Sequence, residues 1–371
     1  MGATAQGQGR QTIRTVAGTG VSGYSGDGGP GVKAEISNGM RQIAIDRHGS
    51  VYLTDTINHV IRRVDAKTGI ITTVAGNGTA CRMPIAACGD GEAAVSGQLN
   101  SPRGLAVDDE DNIYVADAGD NRIRFVSAST GKISTVAGTG RACVPATEEC
   151  GDGAKAIAAE LSYPNSVALD RQGNLYINDS QNFKVRKVVR STGIISTVAG
   201  NGTAGFSGDG GAATLASIKS VTGIICDDAG NLYIADGGNF RVRMVLASNG
   251  VIATVAGTGV KGATGNGGEA KSAPLNSPYN LAVDSNGNLY IVENAGNQVR
   301  EVLATVKGAA PSFGNIVAFA GTGANSSSGD GGLPVKATFA SPSGIAIDSQ
   351  GNIFVADTWG ARIRKIGPLE R

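Results

Sequence analysis

Histidine is almost missing from this chain: His48 and His59 are the two it has in 371 residues. A catalytic zinc centre built on three histidines is therefore excluded. The same scarcity removes a Ser-His-Asp triad, because the two histidines fall in turns of different classes and no Gly-x-Ser-x-Gly elbow accompanies them. No Gly-x-x-x-x-Gly-Lys-Ser/Thr run is present to cradle a nucleotide phosphate. Charge of one sign is missing too. The chain carries 32 basic and 31 acidic residues, and only 17% of it is charged. Without a basic stripe, nucleic acid and anionic membrane surfaces are not expected partners. No apolar run approaches the length that spans a bilayer, so membrane insertion is not expected. These gaps lean against an enzyme.

Glycine, by contrast, is abundant, with 57 residues at recurring places. A Thr-Val-Ala-Gly run stands at residues 15–18, 73–76, 135–138, 197–200 and 254–257, and a degenerate sixth copy at 318–321. Between these runs lies a second block: an apolar strand, Asp-x-x-Gly-Asn, another apolar strand with Tyr, then Ala-Asp. Its closing acid is Asp55, Asp117, Asp179, Asp236, Glu293 and Asp357, at steps of 62, 62, 57, 57 and 64 residues. A period of this size means stacked or radially arranged units.

Each unit reads as four antiparallel strands. In the third, residues 166–170, 175–178, 185–189 and 194–199 are β-branched or apolar runs separated by turn residues such as Gly173 and Gly193. The inner strands are continuously apolar, as in Leu105-Ala106-Val107, so both faces are buried. Four-stranded sheets packed face to face around an axis satisfy that. The expectation is an all-β, six-bladed β-propeller with four antiparallel strands per blade. Residues 11–17 match the fourth strand of a unit, while the chain's last strand matches the third. The N-terminal strand is thus expected to complete the last blade and remove the open edge. Residues 1–10 read as a flexible N-terminal leader and residues 11–371 as one propeller.

The pattern Gly-x-Ala-Val-Asp…Gly-Asn-Leu-Tyr-x-Ala-Asp…Asn-x-x-x-x-Arg resembles the NHL-repeat propellers, over roughly residues 11–366. The Gly-Thr-Gly…Ser-Gly-Asp-Gly-Gly connector of residues 18–29 is similar to those of bacterial secreted NHL proteins and of teneurins. The resemblance implies the fold strongly and the function weakly, since one fold hosts many activities. Amidating lyases of this kind use several histidines around zinc, which this chain does not supply.

Cys81 and Cys88 bracket six residues before Gly89-Asp90-Gly91, and Cys143 and Cys150 do the same before Gly151-Asp152-Gly153. The other connectors lack both cysteines together. Residues that come and go as a pair behave like a disulfide; a metal pair or free thiols are the alternatives. Disulfides imply an oxidising compartment. Ala3-Thr4-Ala5 also follows the small-residue pattern of signal-peptide cleavage sites. A secreted or periplasmic monomer is expected. Cys226 stands where other inner strands carry Val, Leu or Ile, and reads as a small buried hydrophobe.

Repetition separates scaffold from site. Residues shared by all units serve the blade; a site on the axis is asymmetric and shows where units differ. The Gly-Asp-Gly acids (Asp27, Asp90, Asp152, Asp209, Asp330, with Asn266 in the fifth unit) suggest calcium at first sight. The plainer reading is a turn that caps the short helical stretch after it. An Arg follows every closing acid by seven residues (Arg62, Arg124, Arg186, Arg243, Arg300, Arg364), which suggests ion pairs or bonds to backbone carbonyls.

The position just before each innermost strand varies most: Arg41, Arg103, Asn165, Thr222, Tyr279 and Ser343. These six are the candidate ligand-binding residues, at the channel mouth on the face called the top. Arg41 and Arg103 on adjacent blades suit a carboxylate, sulfate or phosphate between them, with Tyr279 stacking across. Side chains that merely meet solvent or their own connectors are the competing reading. A second departure is Asn178 in blade three and Asn280, Glu293 and Asn294 in blade five. Lactonase-like six-bladed propellers, similar in fold, hold a central calcium with Glu, Asn and Asp. Asn165, Asn178, Glu293 and Asn294 are the candidate calcium ligands. The expected function is a module binding a small molecule, glycan or protein on the top face, with an anionic group. The alternative is a calcium-dependent hydrolase of lactonase or esterase type, or a lyase, at the channel mouth.

Overall fold

A computed structural model describes residues 11–81, 88–144 and 149–368. The leader assigned to residues 1–10 lies outside the described residues. Twenty-four strands form six four-stranded antiparallel sheets, and among the described residues there is no α-helix. Five blades run from the axis outward in chain order, as in blade three: Pro164–Leu169, Leu175–Asp179, Lys184–Val188 and Ile195–Ala199. The sixth sheet closes the ring. Gln11–Ala17 pairs antiparallel with Arg362–Pro368, with Ile13 opposite Ile366. The expected closure is therefore what forms.

Apolar side chains of neighbouring blades interdigitate. Ile123 and Ala137 of blade two pack with Leu175 and Ile177 of blade three. Ile13 is fully buried in a cluster with Phe319, Phe339, Ile345 and Ile366. Burying one such side chain stabilises by about 1.5–3 kcal/mol, so the N-terminal strand contributes to the core as well as to the sheet.

The six register-matched arginines are the largest fully buried side chains, each 0–1% exposed. Arg62 shows the scheme. Its Nε and Nη2 donate to Asp27 at 3.0 and 2.6 Å, and Nη1 and Nη2 donate to the Glu35 and Ser25 carbonyls at 2.8 Å. Asp55 stands 3.7 Å from Nη1. Arg186 likewise holds Asp152 and Asp179, and Arg364 holds Asp330 and Asp357. The connector acid's second oxygen takes the Thr of the outer strand: Thr197 Oγ1 donates to Asp152 at 2.6 Å and Thr254 Oγ1 to Asp209 at 2.6 Å. In blade five the acid is Asn266 and the Thr position is Ala318, so the amide and the lost hydroxyl occur together.

This corrects the turn-cap reading of the Gly-Asp-Gly acids. The segments that follow are single 3-10 turns, such as Ala94–Ser96, without a side-chain cap. The acids instead ground the buried arginines. The closing acids accept backbone N–H groups: Ser162 N donates to Asp179 at 2.7 Å and Ala340 N to Asp357 at 2.7 Å. Both cysteine pairs are disulfides, with Cα separations of 5.8 Å for Cys81–Cys88 and 5.6 Å for Cys143–Cys150. They join the same scheme, since the Cys88 and Cys150 carbonyls accept from Arg124 and Arg186. Cys226 is a free cysteine.

Candidate binding site at the channel mouth

Inner strands put equivalent residues at equal heights along the channel. One layer reads Gln42, Gly104, Ser166, Gly223, Asn280, Gly344: polar side chains on odd blades, glycine on even ones. The alternation is steric. A Cβ on Gly104 would lie 2.7 Å from Ser166 Cα, and one on Gly223 would lie 2.9 Å from Asn280 Cα. Gln42 Oε1 accepts from Leu105 N at 3.2 Å and from Ser166 Oγ at 3.4 Å, and Ser166 Oγ accepts from Ile224 N at 3.2 Å. A polar collar thus crosses the channel below its top mouth. Sequence reasoning missed it, because Gln42 and Ser166 each look like ordinary variation within one blade.

Above the collar, the structure places the six candidate residues at different depths. Arg41 reaches over blade six, and its Nη1 donates to Tyr279 Oη at 3.1 Å. Arg103 turns the other way, with its guanidinium carbon 4.7 Å from the centre of the Tyr163 ring. Arg41 and Arg103 therefore meet different tyrosines instead of flanking a common point. Neither makes an ion pair among the described residues, and the Nε of each is buried without a hydrogen-bond partner. Ser343 is fully buried; its hydroxyl donates to Met40 O at 3.0 Å and meets Thr358 Oγ1 at 2.6 Å. Asn165 and Thr222 line a shallow cavity of about 230 Å³ between blades three and four, with Gln181 and Phe183.

The four calcium candidates are not drawn to one point. Asn178 donates to Asn165 Oδ1 at 3.2 Å and to Val221 O at 2.7 Å. Glu293 accepts from Asn276 N at 3.0 Å and from Gln298 Nε2, and lies 3.5 Å from Arg300. Asn294 donates to Pro342 O at 2.9 Å. Glu293 thus occupies the closing-acid position of its blade, with both oxygens committed to protein donors. Burial pushes its carboxyl above the usual range, against those donors.

Two exposed apolar residues complete the mouth. Trp359 and Ile57, in the turns after the second strands of blades six and one, are 64% and 58% exposed. Both lie beside the segment that carries Arg41. Thr358 Oγ1, next to Trp359, donates to Met40 O at 3.3 Å, and a Cβ on Gly39 would meet Ile57 Cγ1 at 2.6 Å. The same turn position in the other blades holds Gly119, Gln181, Gly238 and Ala295, which is the signal that would have found them.

The Teneurin NHL domain family matches residues 74–138 and 128–207, and the NHL repeat family matches residues 339–366. Teneurin-1 of Mus musculus is 31% identical over 255 residues; the match spans 63% of this chain and 9% of that protein. The chain thus covers about a tenth of the length of the teneurins it matches. An auxiliary nutrient binding protein from Bacteroides thetaiotaomicron superposes with a TM-score of 0.66 at 18% identity, over 97% of this chain and 77% of that one. A gluconolactonase from Xanthomonas campestris gives a TM-score of 0.55 at 13% identity, over 98% and 91%. At these identities the solved structures speak for the fold alone. With six repeated blades, teneurin-like connectors and a strand-exchanged closure, the chain belongs to the NHL-repeat β-propellers.

Proposed function

We propose that this protein is a secreted or periplasmic binding module that holds an anionic group at the top mouth of its channel. The supporting observation is the unfinished bonding of Arg41 and Arg103. A guanidinium offers five N–H donors. Among the described residues the Arg41 guanidinium makes one hydrogen bond, to Tyr279, and the Arg103 guanidinium makes none. Nothing in the blade pattern calls for a cation there, because four blades carry uncharged residues at this position. A carboxylate, sulfate or phosphate arriving at either arginine gains charge-assisted hydrogen bonds without breaking an existing ion pair. Tyr279 adds a hydroxyl, and Trp359 and Ile57 offer a flat apolar surface for the body of a small molecule, a glycan or a protein loop. The two disulfides fit an oxidising compartment, and a similar propeller is described as an auxiliary nutrient binding protein.

The test is calorimetric titration of the monomeric protein with uronic acids, sulfated sugars and their neutral counterparts. Acidic ligands are expected to bind and neutral ones to bind at least tenfold more weakly. Arg41→Ala or Arg103→Ala should each weaken binding by about 1.5–3 kcal/mol, the range for a hydrogen bond to a charged group. Equal binding of acidic and neutral ligands would refute the proposal.

A further inference from the structure

The bottom face departs from the repeat in one blade. The outer hairpin of blade five has strands Gln298–Val306 and Ser312–Ala320, nine residues each, where blade one has five in Val60–Val64 and Ile71–Ala75. The extra length carries the tip back over the bottom turns. Gly308 O accepts from Asn231 Nδ2 of blade four at 3.2 Å, Phe313 meets the Tyr233 ring edge-on at 6.1 Å, and Lys307 Nζ donates to Ser285 O. Beneath the tip is a cavity of about 440 Å³. It shares Cys226, Val283 and Ile347 with the channel, which holds a further 260 Å³ or so.

These three residues belong to a ring. The last channel position of the inner strands reads Ile45, Val107, Leu169, Cys226, Val283 and Ile347, and each is partly exposed toward the channel cavity. The lower channel is therefore walled by aliphatic side chains and one thiol, below the polar collar. Its size together with the cavity under the hairpin falls within the range of small-molecule sites.

The rim of that cavity carries more acids than bases: its one cation among the lining residues is Lys307, whose ammonium donates to Ser285 O. Asp227, Asp284 and Asp348 line it, and none is in an ion pair among the described residues. Blades one and three neutralise the equivalent acids: Arg63 stands 3.8 Å from Asp46 and Lys187 stands 3.4 Å from Asp170. Blades four and five carry Met244 and Glu301 at that cation's position, and blade six carries Lys365, whose ammonium lies 5.6 Å from the centre of the Phe354 ring. Asp348 is also short of a donor. Tyr233 and Tyr290 donate to Asp227 and Asp284 at 3.1 and 3.3 Å, whereas blade six has Phe354, so Asp348 Oδ2 keeps only Asn352 Nδ2, at 2.7 Å.

We infer that the bottom mouth is a second binding site, for a small aliphatic ammonium compound. The alkyl body lies against Val283, Ile347 and Cys226 and enters the aliphatic ring. The cationic head stays at the rim, donating to Asp348 with Asp227 and Asp284 nearby. A carboxylate head is repelled there, and a neutral head gains the chain contacts alone.

The experiment is titration of the intact protein with n-alkylamines from butyl to decyl, against decanoate and decanol, all below micelle formation. Amine affinity is expected to rise up to about fourfold per added methylene while the chain fits, with decanoate at least tenfold weaker than decylamine. Asp348→Asn should weaken decylamine about tenfold and leave decanol unchanged. Cys226→Phe, which fills the junction, should abolish the dependence on chain length. Should Asp348→Asn fail to fold, the native protein gives the answer by another route: saturating decylamine is expected to slow alkylation of Cys226 at least fivefold, and decanoate is not. Decanoate binding as well as decylamine, or an alkylation rate indifferent to the amine, would overturn the inference.

Discussion

Two groups of arginines in this molecule contrast, and the contrast separates architecture from recognition. Six stand in the third strands, fully buried and fixed by carboxylates and carbonyls on several sides. Two stand at the channel mouth, where among the described residues their guanidiniums make a single hydrogen bond, from Arg41 to Tyr279. The buried six have a partner for nearly every donor because a charge in a core tolerates nothing less. The mouth pair sits where water and ligands compete, so its donors stay open. A residue type repeated in register is scaffold; the same type out of register is the candidate site.

The comparison is broken most severely by removing the closure. Deleting residues 1–17 takes away Ile13, the outer strand of blade six and the Thr15 hydroxyl that donates to Asp330. Cooperative unfolding is expected to be lost at 37 °C, while deleting residues 1–10 should change the melting temperature by less than about 2 °C. Equal melting temperatures for the two truncations would contradict the scheme.

Next in size is a single buried arginine. Arg186→Ala leaves Asp152 and Asp179 without their cation in a dry site, and chemical denaturation should show a loss of about 3–5 kcal/mol. Arg103→Ala, at the mouth, should lie within about 0.5 kcal/mol of the native protein. Similar losses for both would erase the distinction.

A smaller effect sharpens the scaffold side. In blades one, three and four an Asn follows the closing acid by three residues and donates to it, as Asn182 does to Asp179 at 2.8 Å. Blade two has Asp120 there, so Asp117 lacks that amide donor; its Oδ2, like Asp55 Oδ2 in blade one, is buried without a hydrogen bond. Burial first, and the Asp120 charge second, push the Asp117 carboxyl up to about 8. A raised carboxyl favours the protonated fold. Its contribution is therefore fullest below about pH 4 and fades as pH rises toward 8. Asp120→Asn removes the repelling charge and restores the donor. Denaturation should show a gain on the order of 1 kcal/mol at pH 8.5 and a smaller one at pH 5. A larger gain at the lower pH would contradict this account.

Much of the architecture was legible because a propeller writes itself six times. The closing acids, the arginines seven residues on and the paired cysteines could be read by register alone. What the arginines bond could not, since Asp27 precedes Arg62 by 35 positions and the link exists only once the connector folds back. The mouth was legible as a variable position, yet not its directions: sequence spacing placed Arg41 beside Arg103, whereas the side chain reaches instead to Tyr279, 238 residues away. Asn280 was legible as a departure in blade five, but its place in one layer with Gln42 and Ser166 was hidden, because that layer is an alternation among blades, set by the close approach of adjacent inner strands. Trp359 was overlooked because it falls inside a turn that otherwise repeats.

The contrast between the two arginine classes is most directly measured by following the arginine Nε–H resonances of the native protein during titration with sodium sulfate, against sodium chloride at equal ionic strength. The signals of Arg41 and Arg103 are expected to shift saturably, while those of Arg62, Arg124, Arg186, Arg243, Arg300 and Arg364 stay fixed. Mouth signals that do not move, or shifts shared by all eight, would contradict the claim that the channel mouth holds the open cations.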